Sequence, residues 1–319
     1  MDLLREYRGP RKLFYLSLLA LLFCSLIVMT GTAFADENGA SVYPTGVETV
    51  MPGMAPPPGG TMFYEYTAVV TANQVDGPTG QAVPIDFKLR VFANAFKVNH
   101  NWGFKFLGGT VESMVAIPFV DQELRVPVPV VPTKFTKFAV GNIDVSPLGV
   151  VYAKGHWHFY YEADVWMPGT GRSSGDVLNI GQNNYAVAPV SAFTYLRGKE
   201  ELSSKFQYIV NMTDKATNYH SGNDLTWEFD GMHSLNRKVA VGLNGYLYKQ
   251  LTDDMQNGAI FEGGNRARAL AFGPEVRFNL IHHGGFAIKY LHDTLVQNRP
   301  PTNALWFQLA VPITVGHHE

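Results

Sequence analysis

The connectors between short alternating segments follow a regular rhythm, and this rhythm restricts the fold of the chain more than any other feature. From Thr61 onward, long and short breaks take turns. Outer-membrane β-barrels have this pattern, because their strands run up and down through the bilayer and are joined by short periplasmic turns and longer outer loops. The long breaks are 72–83, 119–134, 168–182, 214–223, 252–265 and 297–303, and the short ones are Asn99–Asn101, Ala153–Gly155, Arg197–Lys199, Ser234–Arg237 and His282–Gly285.

The segments between the breaks alternate apolar and polar residues, which is typical of strands with one apolar face and one polar face. In Leu305–Val315, for example, every odd position is apolar. About twelve strands can be placed, an even number as in single-chain bacterial barrels. Pro147 and Pro189 interrupt two of them, and we expect a bulge at each. The predicted strands are 61–71, 84–97, 103–117, 136–150, 156–167, 184–196, 201–213, 225–231, 239–247, 266–280, 285–296 and 305–315.

The first 35 residues have the features of a secretory signal peptide. Four basic residues precede an apolar stretch from Leu13 to Val28, and Ala33-Phe34-Ala35 is a small-x-small cleavage site. Cys24, the single cysteine of the sequence, lies inside this stretch, so the mature chain can form neither a disulfide nor a cysteine-ligated metal site. An uncleaved membrane anchor is the alternative interpretation of this segment.

The composition agrees with export to a membrane. Charged residues make up 16% of the chain and aromatic residues 13%, whereas soluble domains carry about 25% charged residues. After Ala35 no apolar run approaches the roughly 20 residues that a transmembrane helix needs. Without residues 1–35 the chain retains 21 basic and 25 acidic residues. No basic surface is indicated, so we expect no nucleic-acid partner.

The mature chain opens with Asp36–Gly60, which is rich in proline and glycine and cannot sustain a helix or a central strand. Disordered segments have few apolar residues, but this one contains Val42, Val47 and Met51. We therefore predict a plug that packs inside the barrel, with a flexible leader as the alternative. The predicted organisation is a signal peptide (1–35), a plug or leader (36–60), a transmembrane barrel (61–316) and a C-terminal tail (317–319).

The charged residues of the strands fall mostly on the more polar face, and we expect that face to line the lumen. A charge facing lipid at the bilayer midplane costs about 2–4 kcal/mol, which favours inward placement. Tyr160, Trp166, Tyr246 and Tyr248 are candidates for stacking on a solute. The predicted lumen-lining residues are Glu65, Asp86, Lys88, Arg90, Glu162, Asp164, Lys205, Glu228, Asp230, Tyr246, Tyr248, Glu275, Arg277 and Lys289.

The sequence offers little support for catalysis or metal binding. Outer-membrane phospholipases build a Ser/His/Asn set on a twelve-stranded barrel, and Ser203, Ser204, His220 and His233 could supply its parts. No recognisable nucleophile motif surrounds either serine, however. We predict no catalytic residues, no metal site and no cofactor, and we keep a barrel hydrolase and a non-conducting structural or adhesive barrel as alternative functions.

Two motifs of the sequence are fairly specific: Ala216-Thr217-x-Tyr219-x-Ser221-Gly222 and Tyr246-x-Tyr248-x-Gln250-Leu251-Thr252-x-Asp254. Together with several other stretches, they resemble the outer-membrane transporters named for the meta-pathway of phenol degradation. The resemblance runs across nearly the whole mature chain. The chain differs from many outer-membrane barrels at its C-terminus, because it ends in Gly316-His317-His318-Glu319 and not in an aromatic residue. The stretches that carry the resemblance are Ser41–Gly53, Gly59–Thr61, Asn94–Phe96, Asn211–Gly222, Gly245–Asp254 and Phe272–Glu275.

This resemblance implies an outer-membrane channel for passive or gated uptake of small hydrophobic compounds, aromatic ones among them. The expected fold is an antiparallel up-and-down transmembrane β-barrel of about twelve strands. The expected partners are outer-membrane lipid, hydrophobic or aromatic solutes and the barrel assembly machinery. We expect a monomer in the cell outer membrane of a Gram-negative bacterium.

Overall fold

The structure, a computed structural model, describes residues 41–127, 133–173, 176–280 and 284–314. The predicted signal peptide, the first residues of the predicted plug, the C-terminal tail and part of the predicted turn at 282–285 lie outside these ranges. The strands are β1 (Thr61–Ala72), β2 (Lys88–Phe106), β3 (Gly109–Arg125), β4 (Lys134–Val140), β5 (Ile143–Lys154), β6 (Trp157–Met167), β7 (Ala186–Arg197), β8 (Glu200–Asn211), β9 (Tyr219–His220), β10 (Asp224–Ser234), β11 (Val239–Gln250), β12 (Met255–Gln256), β13 (Ala259–Ile260), β14 (Arg268–Asn279), β15 (Gly285–Gln297) and β16 (Asn303–Thr314).

The long strands form one closed antiparallel sheet. Each pairs with its neighbour in the chain, and β1 pairs with both β2 and β16, which closes the ring. β4 and β5 run one after the other along β3 and act as one barrel strand. The barrel therefore has twelve strands, as the sequence predicted. β9, β12 and β13 form a separate small sheet in the loops.

The connectors are shorter at one end of the barrel than at the other, except that 298–302 is as short as 280–284. One end, here the short-turn end, carries 107–108, 155–156, 198–199, 235–238 and 280–284, and the other, the long-loop end, carries 73–87, 126–133, 168–185, 212–223, 251–267 and 298–302. No helix among the described residues has the length and apolarity needed to span a bilayer.

Two local predictions from polar or proline residues were wrong. Asn99–Asn101 is not a turn but lies inside β2, and the chain reverses at Leu107–Gly108. Asn101 connects β2 to the residues that precede β1, because its backbone and its side chain both form hydrogen bonds with them. The register of β5 shifts beside Pro147, which confirms the bulge predicted there. Pro189 causes no shift, because β7 keeps a constant register with both neighbours.

Side chains of alternate positions point to the two faces of the barrel wall. Toward the long-loop end the inner face is lined by many small residues, because alanine recurs at inward positions of several strands. These alanines leave interior space that side chains of the wall do not fill. The alanines that belong to the apolar core on this side are Ala68, Ala186, Ala188, Ala269, Ala271, Ala304 and, directly before β14, Ala267.

Candidate functional site

Residues 41–60, here the N-terminal segment, contact the inner face of the barrel over much of its length. Its first part belongs to one apolar cluster with the wall: Val42, Tyr43 and Val47 are buried against the inward alanines and larger side chains. The Tyr43 ring meets the edge of Trp166 with centroids 5.8 Å apart. The cluster, which excludes water from the long-loop half of the interior, also contains Tyr66, Ile209, Tyr246, Tyr248, Leu291, Val296 and Trp306.

Three charged side chains lie next to this cluster and form what we call the charged node: Glu48, Lys97 and Lys205. The Glu48 carboxylate pairs with Lys97 of β2 through one oxygen and with Lys205 of β8 through the other. The side chains of both lysines are almost fully buried, and that of Glu48 is only 15% exposed. A buried charge needs a partner of opposite sign, so the two lysines and Glu48 depend on one another.

Two further side chains hold the backbone of the segment. Glu228 of β10 accepts hydrogen bonds from the backbone N–H groups of Gly46 and Glu48. Lys289 of β15 donates to the carbonyl oxygens of Gly46 and Val47, both at 2.8 Å, and to Thr49 Oγ1 at 2.9 Å. The donors and acceptors of this bend are thus satisfied by an anion and a cation from different strands, as buried polar groups require.

Two glycines allow the segment to approach the wall closely. Gly46 has φ +88°, and a Cβ atom there would lie 2.4 Å from Leu291 Cδ1. At Gly53 a Cβ would lie 2.3 Å from the backbone nitrogen of Thr194. The Gly53 N–H donates to Thr194 Oγ1 at 3.1 Å. A larger residue at Gly53 would push the segment away from the wall, because the close atoms there are backbone. At Gly46 a larger residue would be strained by the positive φ and would require Leu291 to move.

A cavity of about 1340 Å³ opens on the short-turn side of the charged node. The second part of the N-terminal segment, from Val50 to Pro58, forms part of its lining together with Met62 and Tyr64 of β1. Most of the residues that the segment contributes to the cavity lining are methionines and prolines. Methionine side chains are flexible and polarizable, so such a surface adapts to apolar ligands of different shapes.

Most of the predicted lumen-lining residues lie on the inner face, at inward positions of their strands. Arg277 makes an ion pair with Glu201 of β8, across the strands that separate them. The structure brings together Lys205, Glu228 and Lys289 around the N-terminal segment. The predicted residues that are buried at inward positions are Glu162, Asp164, Lys205, Glu228, Asp230, Tyr246, Tyr248, Glu275, Arg277 and Lys289.

Four predictions of lumen-lining residues were wrong. Glu65 shares the outer face with Phe96 and Leu309, its partners on β2 and β16. Its carboxylate is satisfied there by Thr67 and Asn94, so a charge did not require the inner face. Lys88 and Arg90 are exposed at the long-loop end of β2.

Asp86 precedes β2 in an exposed loop, so it too does not line the interior. For the strand residues, the polar face was taken to be the inner one throughout. Lys88 and Arg90 are stable on the outer face because the end of a strand has headgroups and water within reach, whereas Glu65 is stable there through Thr67 and Asn94.

Three of the four stacking candidates lie in the filled half of the interior, since Trp166, Tyr246 and Tyr248 belong to the apolar cluster. The fourth, Tyr160, lies nearer the short-turn end of β6, and its hydroxyl donates to Glu162 at 2.6 Å. Of the residues that line the cavity, Arg277 was predicted to face the lumen, whereas Met51, Met54 and Tyr64 were missed. Alternation at the start of β1 placed Tyr64 on one face with Met62, and this signal could have identified it.

A comparison with family models bears on the identity of the chain. The family described as "Putative MetA-pathway of phenol degradation" matches residues 71–309. The chain belongs to this family. Its match covers most of the barrel, and the resemblance inferred from the sequence motifs is confirmed. Among curated proteins, none matches the chain.

Solved structures are similar to this family member to different degrees, and the first of the three below shares its fold. The COG4313 outer membrane channel from Pseudomonas putida F1 is 16% identical with a TM-score of 0.69, covering 86% of this chain and 100% of that one. A Pseudomonas aeruginosa FadL homologue is 9% identical with a TM-score of 0.40, covering 86% and 95%. The translocator domain of the autotransporter NalP from Neisseria meningitidis is 9% identical with a TM-score of 0.43, covering 79% and 88%.

The two most specific motifs of the family resemblance meet at the long-loop end. Their contact forms what we call the loop node, which consists of Tyr219, Gly222, Gln250 and Asp254. The Asp254 carboxylate accepts hydrogen bonds from Tyr219 Oη at 2.6 Å, from Gly222 N–H at 2.8 Å and from Gln250 Nε2 at 2.7 Å. A Cβ at Gly222 would lie 2.1 Å from the Thr252 carbonyl oxygen. The motifs therefore join two loops.

The loop node affects the titration of its carboxylate. Burial raises the pKa of Asp254 above its usual range, although the hydrogen bonds from Tyr219, Gly222 and Gln250 act in the opposite direction. Protonation of Asp254 is therefore favoured in the folded node relative to the unfolded chain.

The residues weighed for a hydrolase occupy separate places. Ser203 contacts Thr194 and Glu201, and Ser204 accepts a hydrogen bond from Trp227. His233 pairs with Glu200 near the short-turn end, whereas His220 belongs to β9 in the loops of the other end. These contacts supply neither serine with a histidine base.

Proposed function

We propose that the protein is an outer-membrane channel for small hydrophobic compounds, aromatic ones among them, and that the N-terminal segment is a plug that closes it at rest. The long-loop end faces the outside and the short-turn end the periplasm, as in other barrels of this kind. The chain reaches the membrane after removal of residues 1–35, is inserted by the barrel assembly machinery and works as a monomer.

The observation that carries the proposal is the change of lining along the N-terminal segment. Its first part is held by Glu228, Lys289, Lys97 and Lys205, whereas its second part borders a cavity. A segment fixed only for stability has no need to leave a large cavity beside it. A movable seal above a solute vestibule accounts for both parts.

The solute class follows from the lining of the cavity. Met51, Met54, Met62 and Tyr64 present thioether and aromatic surface. Sulfur–aromatic contacts are worth about 0.3–1.5 kcal/mol each, which is enough to attract an apolar ring without trapping it. A hydrophobic or aromatic solute can therefore exchange water for these contacts and leave again.

Single-channel recording in a planar bilayer tests the proposal. Three proteins are compared after their heat-modifiable migration has shown folded barrels: the mature protein, a variant lacking 36–60, and the full-length variant Lys289→Met. Lys238→Met, at an exposed lysine in a short turn, is the matched control. We expect rare openings in the mature protein and the control, frequent ones in Lys289→Met and steady conductance without the segment.

The outcomes separate the two parts of the proposal. Silence from every folded variant would contradict a channel. Equal, steady conductance from the mature protein and the deletion variant would support a channel but rule out the plug. The Lys289→Met variant keeps the whole chain, so it answers the question even if the deletion variant does not fold.

A further inference from the structure

Four basic residues lie together on the outer face at the long-loop end, where they form what we call the basic patch: Lys88, Arg90, Arg125 and Lys134. Strand register brings them together. Lys88 of β2 pairs with Arg125 of β3, which pairs in turn with Lys134 of β4. Arg90 lies in the next row, opposite Glu123. The patch thus spans three adjacent strands near their ends.

The patch borders the apolar outer surface of the barrel. In the row next to Arg90 and Glu123, Phe92 is 50% exposed and Phe138 is 70% exposed, on either side of Asp121. Both rings share the outer face with the bases, because cross-strand partners lie on one face. Cationic groups therefore stand directly beside a surface suited to acyl chains, at the level of a membrane–water boundary.

The charges of the patch are only partly neutralised. Lys134 Nζ lies 2.9 Å from Glu123 Oε2. Lys88, Arg90 and Arg125 make no ion pair within the described part of the chain. The neighbouring stretch 128–132 reads Val-Pro-Val-Val-Pro and brings no charge. Asp121 and the loop residue Asp86 are the other nearby acids, so bases outnumber acids in this region.

The rest of the outer face at the long-loop end is less basic. At the long-loop end of the opposite wall, the outward row of β11 and β14 contains one basic pair, Lys249 and Arg268, and exposed apolar residues such as Tyr185 and Leu295 occur elsewhere. Guanidinium groups bind phosphate through two parallel hydrogen bonds. Two arginines and two lysines above exposed phenylalanines match a lipid with phosphorylated sugars and several acyl chains.

We propose that the basic patch binds the phosphate groups of lipid A in the outer leaflet, with Phe92 and Phe138 against its acyl chains. The site is separate from the channel and takes from the proposed function only the membrane and the orientation of the barrel. It would anchor β2, β3 and β4, which carry the connector 126–133, to the lipid around them.

Native mass spectrometry of the detergent-solubilised mature protein with bisphosphorylated lipid A tests the site. EDTA is present throughout, so that Asp121 and Glu123 cannot hold the lipid through a bridging cation. The test variant combines Lys88→Gln, Arg90→Gln, Arg125→Gln and Lys134→Gln, and the control combines Lys249→Gln with Arg268→Gln. We expect the test variant to lose lipid A binding by about tenfold or more, as several basic contacts to anionic headgroups should give, and the control to retain it.

Lipid A stripped of its phosphates should bind the mature protein as weakly as intact lipid A binds the test variant. Equal binding of intact lipid A by the mature protein and the test variant would overturn the site. The site would also be overturned if the mature protein bound the stripped lipid as strongly as intact lipid A. Heat-modifiable migration shows whether the variant is folded, and its channel conductance should match that of the mature protein. A failure of the lipid site is therefore distinguishable from a failure of the channel proposal.

Discussion

The long-loop half of the barrel interior is filled, whereas the short-turn half contains a cavity, and the N-terminal segment passes through both. In the filled half, Val42 and Val47 pack against alanines of the wall, and Glu48 completes a set of buried charges. In the other half, Met51 and Met54 face open space. Neighbouring parts of one segment thus have different surroundings: one part is packed against the wall, and the next part borders a cavity. In the function proposed above, the first part seals the channel and the second part meets the solute.

The largest effect should come from removing both lysines of the charged node. Lys97→Met with Lys205→Met leaves the Glu48 carboxylate buried without a partner, and breaking a buried pair in this way costs about 3–5 kcal/mol. The seal should then open, and single-channel recordings should show a strongly raised open probability.

The control for this prediction adds Glu48→Gln to the same two substitutions. With no charge left unpaired, the triple variant should remain mostly closed. A double variant as quiet as the unaltered protein would mean that the charged node does not hold the segment in place.

A smaller effect is expected at Gly46. Gly46→Ala places a side chain at φ +88° and against Leu291, and such a backbone conformation costs about 1–3 kcal/mol in a residue other than glycine. The seal should loosen, with openings more frequent than in the unaltered protein. Gly231→Ala is the control, because a Cβ there meets no atom within 4 Å. Identical recordings from both variants would contradict a close fit at Gly46.

The cavity predicts an effect on solute uptake that the filled half does not share. Met51→Ala with Met54→Ala removes two thioethers from the lining and should lower toluene uptake into proteoliposomes by about two- to fivefold, since each sulfur–aromatic contact is worth about 0.3–1.5 kcal/mol. Met232→Ala, at a buried inward position outside the cavity lining, should leave uptake unchanged. An equal loss in both variants would show that methionines affect uptake through stability alone.

The weakest predicted effect concerns the loop node and pH. An aspartate with a raised pKa stabilises the folded state most at low pH, and this contribution is lost as pH rises through the raised pKa. Limited proteolysis of loops 212–223 and 251–267 should therefore become faster as pH rises from the usual aspartate pKa through the raised pKa of Asp254, and the rate should level off above it. Asp254→Asn should remove this added pH dependence. If Asp254→Asn and the unaltered protein had the same pH profile of proteolysis, Asp254 would be excluded as the source of the pH dependence.

Periodicity and loop length predicted the fold well because both follow from the barrel itself. Alternation in segments such as 225–231 and 305–315 reports which face is apolar, and the closed ring then follows from strand number and connector length. The outward position of Glu65 could not be predicted in the same way. It depends on Thr67 and Asn94, and Asn94 comes from a different strand.

The interior was harder to predict because its contacts join distant parts of the sequence. Lys289 was predicted to face inward, but that it binds the backbone of Gly46 and Val47 is visible only in three dimensions. Alternation within one strand gives the face of a residue and not its partner. Met51 and Met54 lie outside any strand, so periodicity gave no information about them.

The seam between β1 and β16 has a consequence for the order of assembly. This pairing joins the first barrel strand to the last, so the ring cannot close until the whole chain is available, and the entropy of joining such distant residues opposes closure. The N-terminal segment immediately precedes β1 and contacts β2, β8, β10 and β15. Strands on several sides of the ring thus contact one short piece of chain, and we expect these contacts to favour closure because they hold distant strands near one another.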